Sequence, residues 1–174
     1  MHLRILVTFI FSTCALLVSS AQASISPEPT GAFIGAGMSA GATRIAAPGE
    51  QTSVGLSGRA RVGLMLSELA GVDLEGTVNL GGQRNLLIGS VTTGFNYFIT
   101  EGGLYTRAGL GVMHLTKAID NGREDTGAVI DGGLGYRFLL NHERTASLDA
   151  RFQYGVMDRD DVTVFGLGIA TSWF

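Results

Sequence analysis

Two consecutive segments of the chain place apolar residues or glycine at every second position, with the charged residues between them, and this period of two indicates β-structure. From Val54 to Leu66 every second residue is apolar or glycine, and Arg59 and Arg61 fall between. After a turn at Glu68 to Gly71, the run from Val72 to Leu80 repeats the pattern. Its intervening residues are Asp73, Glu75, Thr77 and Asn79. Strand side chains point alternately to two faces, whereas a helix would scatter these charges around its axis. Both segments are therefore predicted to be strands.

The same alternation recurs in four further segments, which begin near Leu87, Leu104, Ile130 and Leu148. Adding a first strand at Gly31 to Ala42 and a last one at Val162 to Phe174 gives eight predicted strands. Most are longer than the roughly 9–11 residues that a tilted strand needs to cross a bilayer. No segment after residue 23 approaches about 18 consecutive apolar residues, so no transmembrane helix is predicted.

The first 23 residues have the features of a secretory signal peptide. Arg4 precedes an apolar stretch, and Ala21-Gln22-Ala23 has the small-x-small pattern of a cleavage site. We expect cleavage before Ser24, a lead-in at residues 24–30 and a barrel domain at residues 31–174. Cys14, the single cysteine, lies in the signal segment, so the mature chain is predicted to hold no disulfide and no thiolate site.

The charge balance of the mature chain argues against nucleic acid as a partner. The full sequence has 12 Lys and Arg against 15 Asp and Glu, and removal of Arg4 leaves 11 against 15, a net charge of −4. Nucleic-acid-binding domains are typically basic. The sequence therefore favours other partners.

An eight-stranded sheet of this kind is predicted to close into a barrel, and two closed forms are possible. A soluble lipocalin-like carrier would turn its apolar face inward around a cavity, whereas a membrane barrel turns it outward. Three features favour the membrane barrel. Glycine and alanine dominate one stripe of the first strand, and the chain ends on an aromatic residue. Aromatic residues also gather near strand ends, as interface girdles require: Phe95, Tyr97, Phe98, Tyr105, Tyr136, Phe138, Tyr154, Trp173 and Phe174.

Three segments resemble the small eight-stranded outer-membrane barrels of the OmpA/OmpX-like β-barrel superfamily. They are Gly132 to Phe138, Leu148 to Gly155 and the last strand with Phe165, Trp173 and Phe174. The resemblance implies an all-β, eight-stranded antiparallel up-and-down transmembrane barrel in the bacterial outer membrane. It also implies contact with outer-membrane lipids, including lipopolysaccharide, and a last strand read by the barrel assembly machinery.

The last strand departs from the pattern of that family. Its members place large apolar residues at alternate positions counted back from the final Phe, whereas here those positions hold Ser172, Ala170, Gly168 and Gly166. This departure leaves the register of the strand open and suggests a bulge near its end.

The predicted connections alternate between short and long. Short turns at Glu68 to Gly71, Glu101 to Gly103 and Asn141 to Thr145 would face the periplasm together with both termini. The external loops would be Thr43 to Ser53, Gly81 to Asn85, Thr116 to Gly127 and Met157 to Asp161.

The polar face is predicted to fill the lumen with a charge network. Its members are Arg59, Arg61, Asp73, Glu75, Arg107, Asp131, Arg137, Asp149 and Arg151. Because Arg59 and Arg61 lie across a turn from Asp73 and Glu75, we expect opposite charges on neighbouring strands. Unpaired buried charge costs several kcal/mol, so extensive pairing is expected. A salt-bridged, filled lumen is one interpretation, and a narrow ion path gated by breaking a pair is the other.

Evidence for catalysis is limited to one short motif. His114-Leu115-Thr116, with Glu124, Asp125 or Asp131 nearby, is the one candidate for a lipid-modifying hydrolase site, and Thr is a poor match to the usual nucleophile. The acidic loops at Asp120 to Asp125 and Asp158 to Asp161 fit ordinary turn chemistry as well as a cation site. We predict no catalysis, no cofactor and no metal. The leading hypothesis is a structural or surface-interacting barrel with an unidentified extracellular ligand.

Overall fold

The computed structural model describes residues 31–46, 51–81, 86–99, 103–117, 123–141 and 143–174. The predicted signal peptide, the lead-in, His142 and the tips of three predicted external loops lie outside these residues. The described residues form eight strands: β1 (Gly31–Ala46), β2 (Gln51–Met65), β3 (Ala70–Gly81), β4 (Leu86–Phe98), β5 (Leu104–Lys117), β6 (Arg123–Asn141), β7 (Arg144–Met157) and β8 (Asp161–Trp173).

The strands close into one antiparallel up-and-down barrel, which confirms the predicted fold class. Each strand pairs with its neighbours in sequence, and β8 pairs with β1. Partner residues followed once around the barrel from Gly35 lead to Ile45, ten residues further along β1. With usual strand spacings, this stagger tilts the strands by roughly 40° from the barrel axis.

The strands extend further into the predicted external loops than the sequence indicated. β1 continues to Ala46 and β2 already begins at Gln51, so most of the predicted loop 43–53 is a hairpin. β5 likewise continues to Lys117 and β6 begins at Arg123. The residues of these extensions remain paired with the neighbouring strand.

The outer surface carries a continuous apolar belt. On β1 it runs from Ala32 to Ala42, which at this tilt spans about 25 Å, the height of the apolar band on outer-membrane barrels. Leu110 is 66% exposed and Leu56 65%. On the described strands, the outward positions within this belt carry no charged residue. A soluble carrier would reverse this arrangement, so the exterior is that of a barrel in lipid.

Polar groups within the belt are satisfied by the barrel itself. The hydroxyls of Thr93, Thr106 and Thr171 donate to the backbone carbonyls of Asp73, Gly133 and Thr145, at 3.2, 3.1 and 3.0 Å. Lipid offers no hydrogen-bond partner, so these bonds remove the cost of placing a hydroxyl there. Within the described residues, no helix is long and apolar enough to cross a membrane.

The predicted aromatic girdle is only partly correct. Tyr97, Tyr136 and Trp173 face outward near the end of the barrel that holds the described termini. Phe98 and Tyr105 face inward instead and are 4% and 2% exposed. Phe174 also turns inward, because it is one residue removed from outward-facing Trp173. Whether an aromatic residue faces lipid or the lumen depends on which of the two alternating positions it occupies on its strand.

The last strand is regular, so the suggested bulge near its end is wrong. β8 pairs without a register shift with both β7 and β1. Its large residues at 165, 167, 169 and 173 face outward, while Ala170 and Ser172 are buried in the lumen. The one register shift in the barrel's described pairings lies between Leu139 and Asn141 on β6.

The interior has three layers. At the end that holds the described termini, Phe33, Met65, Phe98 and Tyr105 pack together with Phe174, and we call this group the inner aromatic cluster. Charged and polar side chains fill the middle. The opposite end holds what we call the outer apolar cluster: Ile45, Leu86, Ile88, Met113, Leu115, Val129, Met157, Val162 and Val164. The alternation rule predicted a polar lumen throughout, so both apolar layers are new findings.

Candidate functional site in the barrel lumen

Arg107 of β5 lies at the centre of the charged layer. Its guanidinium donates to both carboxylate oxygens of Asp73, with Nη2 2.7 Å from Oδ1 and Nε 3.3 Å from Oδ2. Its Nη1 donates to Asp131, and its Nη2 also reaches the hydroxyl of Thr92 at 3.1 Å. The residue is 2% exposed. One buried cation therefore joins β3, β4, β5 and β6.

Arg151 of β7 continues the network across the lumen. It donates to Glu75 at 2.8 Å and to Asp131 at 3.1 Å, and its Nε lies 3.9 Å from Asp149. Asp149 in turn accepts from Arg59 at 2.5 Å and from the hydroxyl of Tyr105 at 3.2 Å. Charges of alternating sign thus run from wall to wall.

Neutral side chains donate further hydrogen bonds to two of the carboxylates. Asn96 donates to Asp73 at 2.7 Å, and Gln153 donates to Asp131 at 3.1 Å. Gln153 also donates to the hydroxyl of Ser90 at 3.2 Å. Charged groups in a lumen are stable only when their remaining hydrogen-bonding capacity is filled in this way.

Two arginines contact aromatic rings of the inner aromatic cluster. The Arg61 guanidinium carbon lies 5.5 Å from the ring centre of Phe33, and its Nη2 donates to Ser172 at 2.8 Å. The Arg137 guanidinium carbon lies 3.8 Å from the ring centre of Phe98. These cation–π contacts connect the charged layer to the aromatic one.

Opposite charges do stand on the neighbouring strands β2 and β3, but the ion pairs found in the lumen do not join these neighbours. Arg61 does stand opposite Glu75 in the β2–β3 register. Glu75 nevertheless binds Arg151, and Asp73 binds Arg107. In a narrow barrel a long side chain can reach beyond the adjacent strand, so Glu75 pairs with Arg151 on the opposite wall, whereas Asp131 pairs with arginines of both neighbouring strands.

Inward-facing glycines make room for the large luminal side chains. A Cβ built on Gly94 would lie 2.6 Å from the guanidinium carbon of Arg107, and one on Gly133 would lie 2.6 Å from Cδ of Arg151. Gly135 lies under the Tyr105 ring in the same manner. The sequence shows many glycines, but only the three-dimensional packing shows which of them accommodate an arginine or a ring.

A substitution pair on β4 tests this packing. Gly94→Ala is expected to lower the free energy of unfolding by about 1–3 kcal/mol, because the added methyl group displaces the guanidinium that holds two carboxylates. Gly89→Ala on the same strand faces outward with nothing within 4 Å of the added carbon and is expected to have little effect. Denaturant titration followed by electrophoretic mobility measures both. Equal stability of the two variants would contradict the packing role.

A small cavity of about 20 Å³ lies between the charged layer and the outer apolar cluster. Asn79, Arg59 and Val164 are among its lining residues. Asn79 Nδ2 and Arg59 Nε are buried without a protein partner. A water molecule needs about 10–15 Å³ and two or more polar partners, so this space suits water.

The candidate catalytic residues do not form a hydrolytic site. His114 faces outward near the rim, and its Nδ1 lies 2.8 Å from the hydroxyl of Thr126 rather than next to Thr116. Asp131 is held by two arginines inside the lumen. Within the described part of the chain, no group of three His, Cys, Asp or Glu residues could hold a metal ion.

The three residues singled out on the last strand have different surroundings. Phe165 and Trp173 face outward, 48% and 38% exposed. Phe174 packs on Phe33 with ring centres 5.6 Å apart, and its backbone N–H donates to the carbonyl of Glu143 at 2.9 Å. The final residue therefore closes the end of the lumen.

Comparison with known proteins identifies the fold. No family model matches the chain, and no curated protein matches it in sequence. Its structure is similar to that of Neisserial surface protein A, NspA, with a TM-score of 0.71 and 14% identity over 83% of this chain and 97% of that one. It is also similar to Ail, the attachment invasion locus protein of Yersinia pestis, with a TM-score of 0.59 and 15% identity over 83% of this chain and 100% of that one. Both are eight-stranded outer-membrane barrels.

These likenesses confirm the predicted resemblance at the level of fold. Together with the apolar exterior, they define an eight-stranded transmembrane β-barrel with the fold of these outer-membrane proteins.

Proposed function

We propose that this protein is an integral outer-membrane barrel with a closed lumen and a structural or surface-interaction role in the bacterial envelope. The observation that carries the proposal is the filling of the lumen at every level, by the inner aromatic cluster, the charge network and the outer apolar cluster. Eight strands leave only enough interior for side chains. Export by a signal peptide cleaved before Ser24 is part of the same proposal.

Conductance measurement tests the closed lumen. The folded protein, identified by the faster migration of its unboiled form, is expected to give no conductance steps in a planar bilayer. A large open porin under the same conditions serves as the positive control. Conductance steps that scale with the amount of folded barrel would contradict the proposal and favour a narrow channel. The luminal cavity and its unpartnered polar atoms are the observations that favour this second candidate.

The surface role concerns the rim opposite the described termini. The structure of Ail has also been solved in complex with the heparin analogue sucrose octasulfate, and this chain is similar to that structure with a TM-score of 0.54 and 16% identity over 82% of this chain and 99% of that one. A polyanion suits a basic surface. The β7–β8 turn region here exposes Asp158 and Arg159, while Asp161 is half-buried and Asp160 is buried, so the turn offers no basic surface. We therefore propose a surface partner other than a sulfated polysaccharide.

A non-catalytic role is supported by the surroundings of His114. Acyl transfer requires a base that contacts a hydroxyl nucleophile and is oriented by a third group. His114 contacts the hydroxyl of Thr126, and the contacts found among the described residues place no carboxylate on its ring. We propose that the pair stabilises the β5–β6 hairpin and that the protein uses no cofactor.

The proposed partners of the protein are components of the outer membrane and the machinery that assembles barrels there. Outer-membrane lipids, including lipopolysaccharide, would cover the apolar belt, and the assembly machinery would read the outward residues of β8. Phe165 and Trp173 are available for such reading, whereas Phe174 lies in the lumen.

A further inference from the structure

We propose that the outer apolar cluster, and not the charge network beneath it, is the barrier that keeps water and ions from crossing the lumen from the rim. The inference rests on the closed lumen proposed above and assigns the closure to particular residues. It differs from gating by a salt bridge, because it predicts that the charge network can be broken without opening the barrel.

The outer apolar cluster is a continuous dry layer. Its nine members come from six of the eight strands, and Ile88, Met113 and Val162 are each 0% exposed. The remaining wall, on β2 and β3, carries Ser53 and Gly81, and a Cβ on Gly81 would lie 3.0 Å from both Ser53 Oγ and the Cβ of Leu86 on the neighbouring strand. Because the nine residues form one buried cluster drawn from six strands around the lumen, their side chains meet across it.

The alternation of the strands reverses at the level of this cluster. On β5 the inward residues change from Arg107 and glycines to Met113 and Leu115, while the outward residues change from Leu110 and Val112 to His114 and Thr116. Above the reversal β5 is polar outside and apolar inside, as in a soluble protein, and β8 shows the same change, with Val162 and Val164 inside and Thr163 outside. An apolar interior there has no role in facing lipid, so it needs another explanation.

The layer below is wettable. The small cavity adjoins Val164 of the cluster on one side and Glu75, Asp131 and Arg151 on the other. Buried polar atoms without a protein partner are found at Asn79, Arg59 and Arg151. Water and small ions can exchange contacts with such groups, whereas an apolar constriction excludes ions by dehydration. The change from wet to dry therefore occurs at the cluster.

Ser90 is suited to report whether the cluster excludes solvent. It lies on β4 two residues from Ile88, on the polar side of the cluster, and is 5% exposed. The mature chain is otherwise free of cysteine, because Cys14 lies in the predicted signal segment. Ser90→Cys therefore introduces a single thiol below the barrier.

The test measures the reaction of this thiol with a small cationic methanethiosulfonate, followed by mass spectrometry on the folded protein in detergent. Ser90→Cys alone is expected to react slowly. Adding Met113→Ala and Leu115→Ala is expected to speed the reaction by roughly tenfold or more, because the dry layer is removed. Adding Arg59→Gln instead is expected to leave the rate unchanged.

Folding of each variant is checked by the mobility of its unboiled form. If the double trimming prevents folding, Val162→Ala removes volume from the same cluster on β8 and is expected to raise the rate as well. Fast labelling of Ser90→Cys alone, no increase in the folded trimmed variant, or an increase with Arg59→Gln would each overturn the inference. Conductance steps from the unmodified protein would instead contradict the closed lumen itself.

Discussion

Replacing Arg107 by methionine is expected to lower the free energy of unfolding by about 3–5 kcal/mol, the usual cost of removing one partner from a buried ion pair. Asp73 would keep Asn96 as a donor, and Asp131 would keep Arg151 and Gln153. Asp73 would be left without a cation, and Asp131 would share Arg151 with Glu75, so the carboxylates of the lumen would be poorly compensated. Denaturant titration of the folded barrel in lipid vesicles measures the loss.

Two further variants show whether the loss comes from uncompensated charge. Arg144→Met removes an exposed arginine at the start of β7 and is expected to change stability little. Adding Asp73→Asn to Arg107→Met is expected to restore part of the lost stability, because it removes the carboxylate that has lost its cation. A loss for Arg107→Met no larger than that for Arg144→Met would show that the network contributes little to folding.

An arginine placed on the lipid-facing surface is also expected to have a large effect on the free energy of unfolding. Leu110→Arg puts a charge at a 66% exposed position inside the apolar belt and is expected to lower the free energy of unfolding in a bilayer by about 2–4 kcal/mol. Thr116→Arg, on the same face of the same strand but at the rim, is expected to cost about 0–1 kcal/mol. The two values are measured in vesicles of one lipid composition.

The difference between these positions locates the membrane on the barrel. Both substitutions introduce an arginine on β5, so the strand propensity of arginine and the added charge are the same in the two variants. If Thr116→Arg proved as costly as Leu110→Arg, the belt would extend to the rim. If neither were costly, the exterior would not face lipid, and the membrane assignment would be wrong.

The sequence by itself determined the fold class and, for most strands, which side chains face the lumen. Period-two alternation between Val54 and Leu80 excludes helices, and an even number of long strands must close when lipid offers no partner for an open edge. The same parity correctly placed Asp73, Glu75, Arg107 and Arg151 inside. These conclusions depend on the local backbone geometry of a strand, which does not require knowledge of residues distant in sequence.

Only the tertiary structure decided which luminal groups meet. Arg59 binds Asp149 and Glu75 binds Arg151, across 90 and 76 residues of sequence, because the curvature of a closed barrel brings opposite walls within reach of one side chain. It also showed the inward turn of Phe98, Tyr105 and Phe174 and the apolar layer around Met113. Alternation tells which face a residue is on, but its height along the tilted barrel depends on the register of all eight strands. That register decides whether an inward residue meets charge, water or a dry layer.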